Sequence, residues 1–352
     1  MKADAQGVKG RGAAGNPPNR FETIRLEPDP DRDPAEDPAP HTVFLRDVSR
    51  TVISRNESPD VPFEVSLNPY RGCEHGCAYC YARPTHEYLG FSAGLDFETR
   101  ILVKEDAPDL LRRELASPKW RPAALTLSGV TDPYQPVERR LQLTRRCLQV
   151  LAECRHPVAI ITKNHLVTRD LDLLGDLARL QAAFVAISLP TLKPELAAAM
   201  EPRASLPALR LDAIRRLTAA GIPTGVLVAP VVPGLTDPEI PAILQAAADA
   251  GASFAARVLL RLPHAVAEVF SDWLERHLPL RRTKVLNAVK SMRGGRLNEG
   301  RFGARMRGEG SAADRLEHFF AVACRRTGLT GAGPTLSTDS FRRPPSTQLE
   351  LF

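Results

Sequence analysis

Asn68-Pro69-Tyr70-Arg71-Gly72-Cys73-Glu74-His75-Gly76-Cys77-Ala78-Tyr79-Cys80-Tyr81 is the stretch on which the reading of this chain turns. Cys73, Cys77 and Cys80 are spaced C-x3-C-x2-C, directly after an apolar run at Phe63–Leu67. Three thiolates on one tight loop can ligate three irons of a [4Fe–4S] cluster, which normally takes four cysteines. The missing fourth leaves one iron open, and an open coordination site binds a substrate or cofactor. Gly72 and Gly76 let the backbone wrap closely. The alternative is a zinc site completed by His75 or His86. Zinc motifs usually come as separated pairs, which one compact triplet fits poorly.

Outward from this loop, short apolar runs alternate with amphipathic helical patterns. The runs are Phe63–Leu67, Ala123–Leu127, Val158–Thr162, Phe184–Leu189, Thr224–Val228 and Phe254–Leu260. The helical patterns are Ala107–Leu115, Glu138–Glu153, Asp170–Leu180, Leu206–Ala219 and Pro238–Ala250. Six strands alternating with helices predict an α/β fold with a parallel sheet and right-handed crossovers. Functional groups then belong at the carboxyl ends of the strands. Residues 1–44, rich in Pro, Asp, Arg and Gly, read as a disordered leader. The core spans 45–265, a basic and mainly helical extension 266–329, and a flexible Gly/Pro/Ser/Thr-rich tail 330–352. There is no internal repeat.

The 352 residues, 43% apolar and 25% charged, suffice for a large core and exclude disorder throughout. Six cysteines are too few for a disulfide scaffold. No apolar run reaches the ~18 residues of a membrane span; the longest, around Gly225–Leu235, is broken by Pro230 and Pro233. The first thirty residues have no apolar signal core, so a cytoplasmic location is expected. The net charge is +6, and eight of the 47 basic residues are Lys. That suits a nucleic-acid partner; an Arg bias in genome composition explains it equally well.

The loop and its surroundings resemble the radical S-adenosylmethionine (radical SAM) superfamily, and within it a spore photoproduct lyase-like branch of uncharacterised bacterial proteins. The resemblance rests on Asn68–Arg83, Ser128–Pro136, Ile161-Thr162-Lys163, Glu201-Pro202-Arg203 and Ala229–Gly234. It covers roughly residues 45–329. It implies a partial (β/α)6 barrel, with Cys73, Cys77 and Cys80 on a [4Fe–4S] cluster whose open iron chelates S-adenosylmethionine. One electron splits the sulfonium bond, and the 5′-deoxyadenosyl radical takes a hydrogen atom from the substrate. An electron donor such as flavodoxin or ferredoxin is implied. Tyr79 would lie near the adenine, Ser128 and Thr131 near the methionine amino group, and Lys163 by the methionine carboxylate. Ser188, Glu201 and Arg203 complete the expected cofactor site. Asp132 and Tyr134, just past the second strand, are the candidate catalytic residues facing the substrate.

One departure stands out. True spore photoproduct lyases carry a hydrogen-donating cysteine beside the second-strand Ser/Thr-Asp, whereas Ser128-Gly129-Val130-Thr131-Asp132 has none. Cys147, Cys154 and Cys324 read as small buried hydrophobes, which leaves Tyr134 as a substitute donor. Residues 281–308 carry nine basic residues against Glu299 alone, interleaved with glycines that suit phosphate contact. The last residues, Gln348-Leu349-Glu350-Leu351-Phe352, resemble the peptide by which bacterial polymerases and repair proteins dock on the sliding clamp. The combined expectation is a lyase-type radical SAM enzyme of nucleic-acid repair or modification, DNA before RNA. A radical SAM enzyme acting on a protein or small molecule is the second reading. A non-catalytic, cluster-bearing adaptor on DNA is the third, and it would not need a cofactor pocket.

Overall fold

The computed structural model describes residues 7–22 and 40–345. In chain order the strands are β1 (Val43–Arg46), β2 (Ile53–Arg55), β3 (Val65–Leu67), β4 (Tyr70–Arg71), β5 (Arg100–Val103), β6 (Leu125–Leu127), β7 (Val158–Thr162), β8 (Ala183–Ser188), β9 (Thr224–Val231) and β10 (Phe254–Leu259). The helices are α1 (Leu95–Thr99), α2 (Ala107–Ala116), α3 (Glu138–Leu141), α4 (Leu143–Glu153), α5 (Leu171–Ala178), α6 (Pro194–Met200), α7 (Pro207–Ala219), α8 (Ile240–Asp249), α9 (Val266–His277), α10 (Arg282–Ser291), α11 (Ala304–Arg307) and α12 (Ser311–Thr327).

Six parallel strands form one sheet in the order β10-β9-β8-β7-β6-β3, with β2 antiparallel on the β3 edge. Sequence neighbours are sheet neighbours throughout, so the sheet winds in one direction, as the expected partial (β/α)6 barrel does. The registers, such as Val65↔Leu125 and Leu125↔Val158, bring the carboxyl ends of β3, β6 and β7 to one rim. The strands are apolar on both faces: β7 reads Val-Ala-Ile-Ile-Thr, buried except at Ile161. Such double burial is what a parallel sheet sheathed by helices requires. A large core joins the sheet to residues of α2, α4, α5, α7, α8 and α12. A second core packs Cys77, Ala78 and Tyr79 against Leu260, Leu262 and the Phe270 and Trp273 side chains of α9.

Three features depart from the sequence reading. A second sheet, β1-β5-β4, was not expected; β4 pairs antiparallel with β5 immediately before Cys73 and moors the cysteine loop. The helix expected over Glu138–Glu153 is two helices, because Gln142 turns left-handed at φ 53°. Glu138 then accepts from the first amides of α4, Thr144 N at 3.0 Å and Arg145 N at 3.3 Å, so a carboxylate caps the new helix.

The third departure concerns the ends. Residues 7–22 of the expected disordered leader lie against the cysteine loop, and Ala13 is 1% exposed. Residues 330–345 of the expected flexible tail are likewise pinned. Arg342 N donates to Cys154 O at 2.7 Å, Phe341 meets His156 edge-on at 5.4 Å, and Arg343 donates to Trp120 O at 3.1 Å. Polar and glycine-rich segments dock here through backbone hydrogen bonds, which hydrophobic periodicity does not register. The clamp-like peptide Gln348–Phe352 lies outside the described residues. No helix among the described residues is long and apolar enough to cross a membrane.

Candidate active site

The cysteine loop is held from every side by polar groups. Cys73 N donates to Phe97 O at 2.9 Å, and Ala78 N to Met200 O at 3.0 Å. Gln135 grips the loop twice: its Oε1 accepts from Glu74 N at 2.9 Å and its Nε2 donates to Gly72 O at 3.2 Å. The wholly buried Arg83 donates to Cys77 O from Nε (3.0 Å) and Nη2 (2.8 Å), and pairs with the buried Glu98. Gly72 has φ 81°, and a Cβ there would fall 2.8 Å from the His86 ring, so the turn excludes other residues. Burial lifts the Cys73 thiol to about 12, with Asp132 and Cys80 adding to the rise, and lifts Cys77 well above its usual value. These thiols give up their protons when a metal neutralises them.

Both histidines of the zinc alternative have a ring nitrogen engaged elsewhere. His75 takes a hydrogen bond from Asn164 Nδ2 on its Nε2 (3.1 Å) and turns Nδ1 toward Asp132 at 3.5 Å. His86 Nε2 lies 2.8 Å from Arg100 O. Among the described residues, no three His, Cys, Asp or Glu side chains converge as they would around a single ion. Three cysteines on one loop, with no fourth ligand gathered on them among the described residues, suit a cluster with one open iron.

The carboxyl ends of β6, β7 and β8 supply the adjoining wall. Tyr79 donates its hydroxyl to Glu201, which is paired with Arg210; Glu201 and Arg210 are each 1% exposed. Arg210 also donates to Ser188 O at 2.9 Å and Ser205 O at 2.7 Å. Burial opposes the Glu201 charge, but Arg210 and Lys163 outweigh it and lower its pKa. Burial also opposes the Lys163 ammonium, and Cys77, Asp132 and Glu201 outweigh it and raise its pKa. Yet the Lys163 ammonium has no ion pair or hydrogen bond among the described residues. Among the described residues, Lys163 is the cation of this wall that forms no ion pair.

The other expected residues fall less neatly. Thr131, 2% exposed, gives its hydroxyl to Tyr70 O at 2.9 Å and its amide to Asn68 Oδ1 at 3.1 Å, so it braces the cysteine loop. Ser128 ends β6 at φ 137°, a region costly for any residue but glycine, beside Gly129 at φ 105°. Arg203 pairs with Glu74 at 3.2 Å, on the outer side of the loop. Asp132 does not face open space. Its oxygens accept from Tyr134 N (2.9 Å), Thr162 Oγ1 (2.7 Å) and Lys163 N (2.9 Å). Tyr134 is fully buried and donates to Asp170 at 3.0 Å, in a network with Arg145, Arg169, Glu138 and Tyr70. Its hydroxyl is therefore engaged in this network and not exposed, as a residue facing the substrate was expected to be. The turn after β6 aims its side chain into the helical layer, which no local pattern announces.

Sequence reasoning also missed Arg83, Glu98, Asn164 and Arg210, and read His75 only as a zinc ligand and Gln135 as facing the substrate. Arg83 lies at the end of the cysteine motif and was open to notice. Arg210 sits in an ordinary amphipathic helix with no local signal. Tyr81, directly after Cys80 and 45% exposed, donates its hydroxyl to Gly129 O at the end of β6. The Arg261 guanidinium lies 5.0 Å over its ring. Arg261 Nε is buried without a hydrogen bond, and the side chain has no carboxylate partner among the described residues.

Residues 67–247 match the Radical SAM superfamily, about half of the chain. The protein belongs to the Radical SAM superfamily. This radical SAM chain is 41% identical over 221 residues to an uncharacterised protein of Mycobacterium tuberculosis, covering 62% of this chain and 65% of the relative. An uncharacterised protein of Methanocaldococcus jannaschii is 30% identical over 173 residues, 49% of this chain and 62% of the relative. Both matches thus span less than two thirds of the relatives' length. Among solved structures, spore photoproduct lyase complexed with dinucleoside spore photoproduct superposes at TM-score 0.60 with 17% identity, over 82% of this chain and 81% of that one. This shows a shared fold. The superfamily's cofactors are a [4Fe–4S] cluster and S-adenosylmethionine, and the donor set of the cysteine loop fits the first of them.

Proposed function

We propose that this radical SAM enzyme acts on nucleic acid, DNA before RNA, in lyase or repair chemistry. The reduced cluster and S-adenosylmethionine, when bound, supply the one-electron chemistry that removes a hydrogen atom from the substrate. Cys73, Cys77 and Cys80 would hold the cluster. Lys163 would pair with the methionine carboxylate, since it is a strand-end cation beside Cys77 that forms no ion pair among the described residues. Tyr79, held by Glu201 and Arg210, would line the adenine. Ser128 and the β6 turn would receive the amino group, and the Ser188 strand end the ribose side. Asp132 would act as a positioning residue, because it fixes the backbone of Lys163 and faces His75. The second core, which packs Cys77, Ala78 and Tyr79, would help keep water from the reacting atoms.

The observation that carries the substrate class is the Tyr81–Arg261 pair at the rim. An exposed aromatic ring under a guanidinium with no carboxylate partner among the described residues suits a base beside a phosphate. The likeness in fold to a lyase of DNA photoproducts supports the same reading. The basic segment supports it less than its composition suggests. Arg293 is buried on the carbonyls of Leu260 and Arg305, while Arg282, Arg301 and Arg305 pair with Glu275, Glu299 with Glu309, and Asp60 respectively. Arg281, Lys284, Lys290, Arg296 and Arg307 remain for phosphates.

The test is anaerobic incubation of the reconstituted protein with S-adenosylmethionine and with DNA or RNA, damaged and intact, deuterated on the nucleotides. Deuterium appearing in 5′-deoxyadenosine with one of these polymers supports the reading. Cofactor cleavage that no nucleic acid accelerates or labels overturns it in favour of a protein or small-molecule substrate. Spore photoproduct itself is expected not to be repaired by the cysteine route, because Cys147, Cys154 and Cys324 are buried in the helical core. For Gln348–Phe352, titration calorimetry of the tail peptide against a bacterial sliding clamp decides the docking idea. Micromolar binding lost in the Leu351→Ala, Phe352→Ala double variant supports it, and absence of heat removes it.

A further inference from the structure

Gly12 lies backbone to backbone on the cysteine loop. A Cβ on Gly12 would fall 1.8 Å from Gly76 O and 3.0 Å from Ala78 N, so no other residue allows this approach. Gly76 complements it: its φ is 65°, and a Cβ there would lie 2.6 Å from Glu98 Oε2 and 3.4 Å from Gly12 N. Glu98 links the two segments. Its carboxylate accepts from Gly12 N at 3.1 Å and Ala13 N at 2.9 Å while pairing with Arg83, which in turn donates to the Cys77 carbonyl. A continuous chain of hydrogen bonds thus runs from residues 12 and 13 to a cluster-ligating cysteine.

The rest of the segment is tied down on both flanks. Arg11 donates to Glu98 O at 3.0 Å, and Arg276 of α9 donates to Gly12 O at 3.1 Å. Leu95 N donates to Gly15 O at 3.1 Å, Ser92 Oγ to Pro17 O at 2.6 Å, and Asn19 Nδ2 to Glu87 O at 2.9 Å. With this segment in place Cys73 and Cys77 are 7% and 5% exposed.

We propose that residues 11–20 form the outer wall of the cluster compartment, with Gly12 as a positioning residue that holds the Cys73–Cys80 loop in its ligating shape and keeps water and oxygen off it. The proposal rests on superfamily membership and stands whatever the substrate. Cluster potential depends on hydrogen bonding and solvent exposure around the sulfurs. Groups one layer out from metal ligands typically govern retention by ~10–100-fold. The segment 330–345 provides the contrast: it is pinned by comparable hydrogen bonds, but to Cys154, Gln181 and Trp120, away from the cysteine loop.

The test compares Gly12→Val with Arg343→Ala in the full chain. Three quantities are read: iron lost to a chelator, the midpoint potential of the reconstituted cluster, and the alkylation rate of Cys77 in the iron-free protein. Gly12→Val is expected to lose iron about tenfold more readily, to shift the potential, and to expose Cys77 to alkylation. Arg343→Ala is expected to lower the melting temperature and leave all three unchanged. Wild-type values in Gly12→Val, or equal changes in Arg343→Ala, overturn the proposal. If Gly12→Val does not fold, hydrogen exchange of the wild type decides. Slower exchange of the Gly12 and Ala13 amides once the cluster is loaded supports the wall, and exchange indifferent to the cluster overturns it.

Discussion

Two buried networks in the molecule share a similar chemistry. In one, Tyr79 donates to Glu201, which pairs with Arg210. In the other, Tyr134 donates to Asp170, which pairs with Arg145 at 2.7 Å and Arg169 at 2.8 Å. Both keep charge in the interior by meeting each carboxylate with an arginine and a phenol. They differ in what is left over. The second is closed, since Arg169 also takes Glu138 and Arg145 also takes Asp172. The first adjoins Lys163, a cation beside Cys77 that forms no ion pair among the described residues. The identity of the residues does not separate the two networks here; the cation without an ion pair does.

The largest effect should come from the cysteines. Replacing Cys73, Cys77 or Cys80 by Ala is expected to abolish iron binding after anaerobic reconstitution. Cys147→Ala, Cys154→Ala and Cys324→Ala should retain it, as iron analysis and visible absorbance will show. Stoichiometric zinc in place of iron would break the assignment.

Next, Arg210→Met and Asp170→Asn each disturb a buried charge arrangement. Losing one partner of a buried pair costs about 3–5 kcal/mol, so Arg210→Met should fall near that range in denaturant melts, with Asp170→Asn smaller because it keeps its shape. The sharper readout is the cofactor: S-adenosylmethionine binding should weaken for Arg210→Met and stay at the wild-type level for Asp170→Asn. Equal loss of binding in both would erase the distinction between the networks.

Lys163→Ala should leave stability and iron content alone while weakening S-adenosylmethionine. A charge-assisted contact of about 1.5–3 kcal/mol corresponds to tenfold or more in affinity, measurable by anaerobic titration. Undiminished affinity would mean that the carboxylate is held elsewhere. The smallest effects belong to the phenols. Tyr134→Phe and Tyr79→Phe should each lose about 1 kcal/mol of stability, but only Tyr79→Phe should also raise the cofactor dissociation constant. A fall in cofactor cleavage for Tyr134→Phe would restore the catalytic role that its burial denies it.

The alternation of apolar runs with amphipathic stretches, the C-x3-C-x2-C loop after the first parallel strand, and Lys163 at a strand end were all legible in the sequence. Period, spacing and composition are local properties, and each of these features depends only on neighbours along the chain. What the tertiary structure alone decided joins residues far apart. Tyr79 meets Glu201 across 122 positions, Gly12 meets Glu98 across 86, and Tyr134 meets Asp170 across 36. Whether a strand-end Asp or Tyr faces the opening or the helical layer is set by the turn that follows and by which arginine the packing brings near. A glycine-rich leader poor in apolar residues docks through backbone amides that every sequence possesses, so only the surface it meets, the Gly76 backbone and the Glu98 carboxylate, determines that it docks at all.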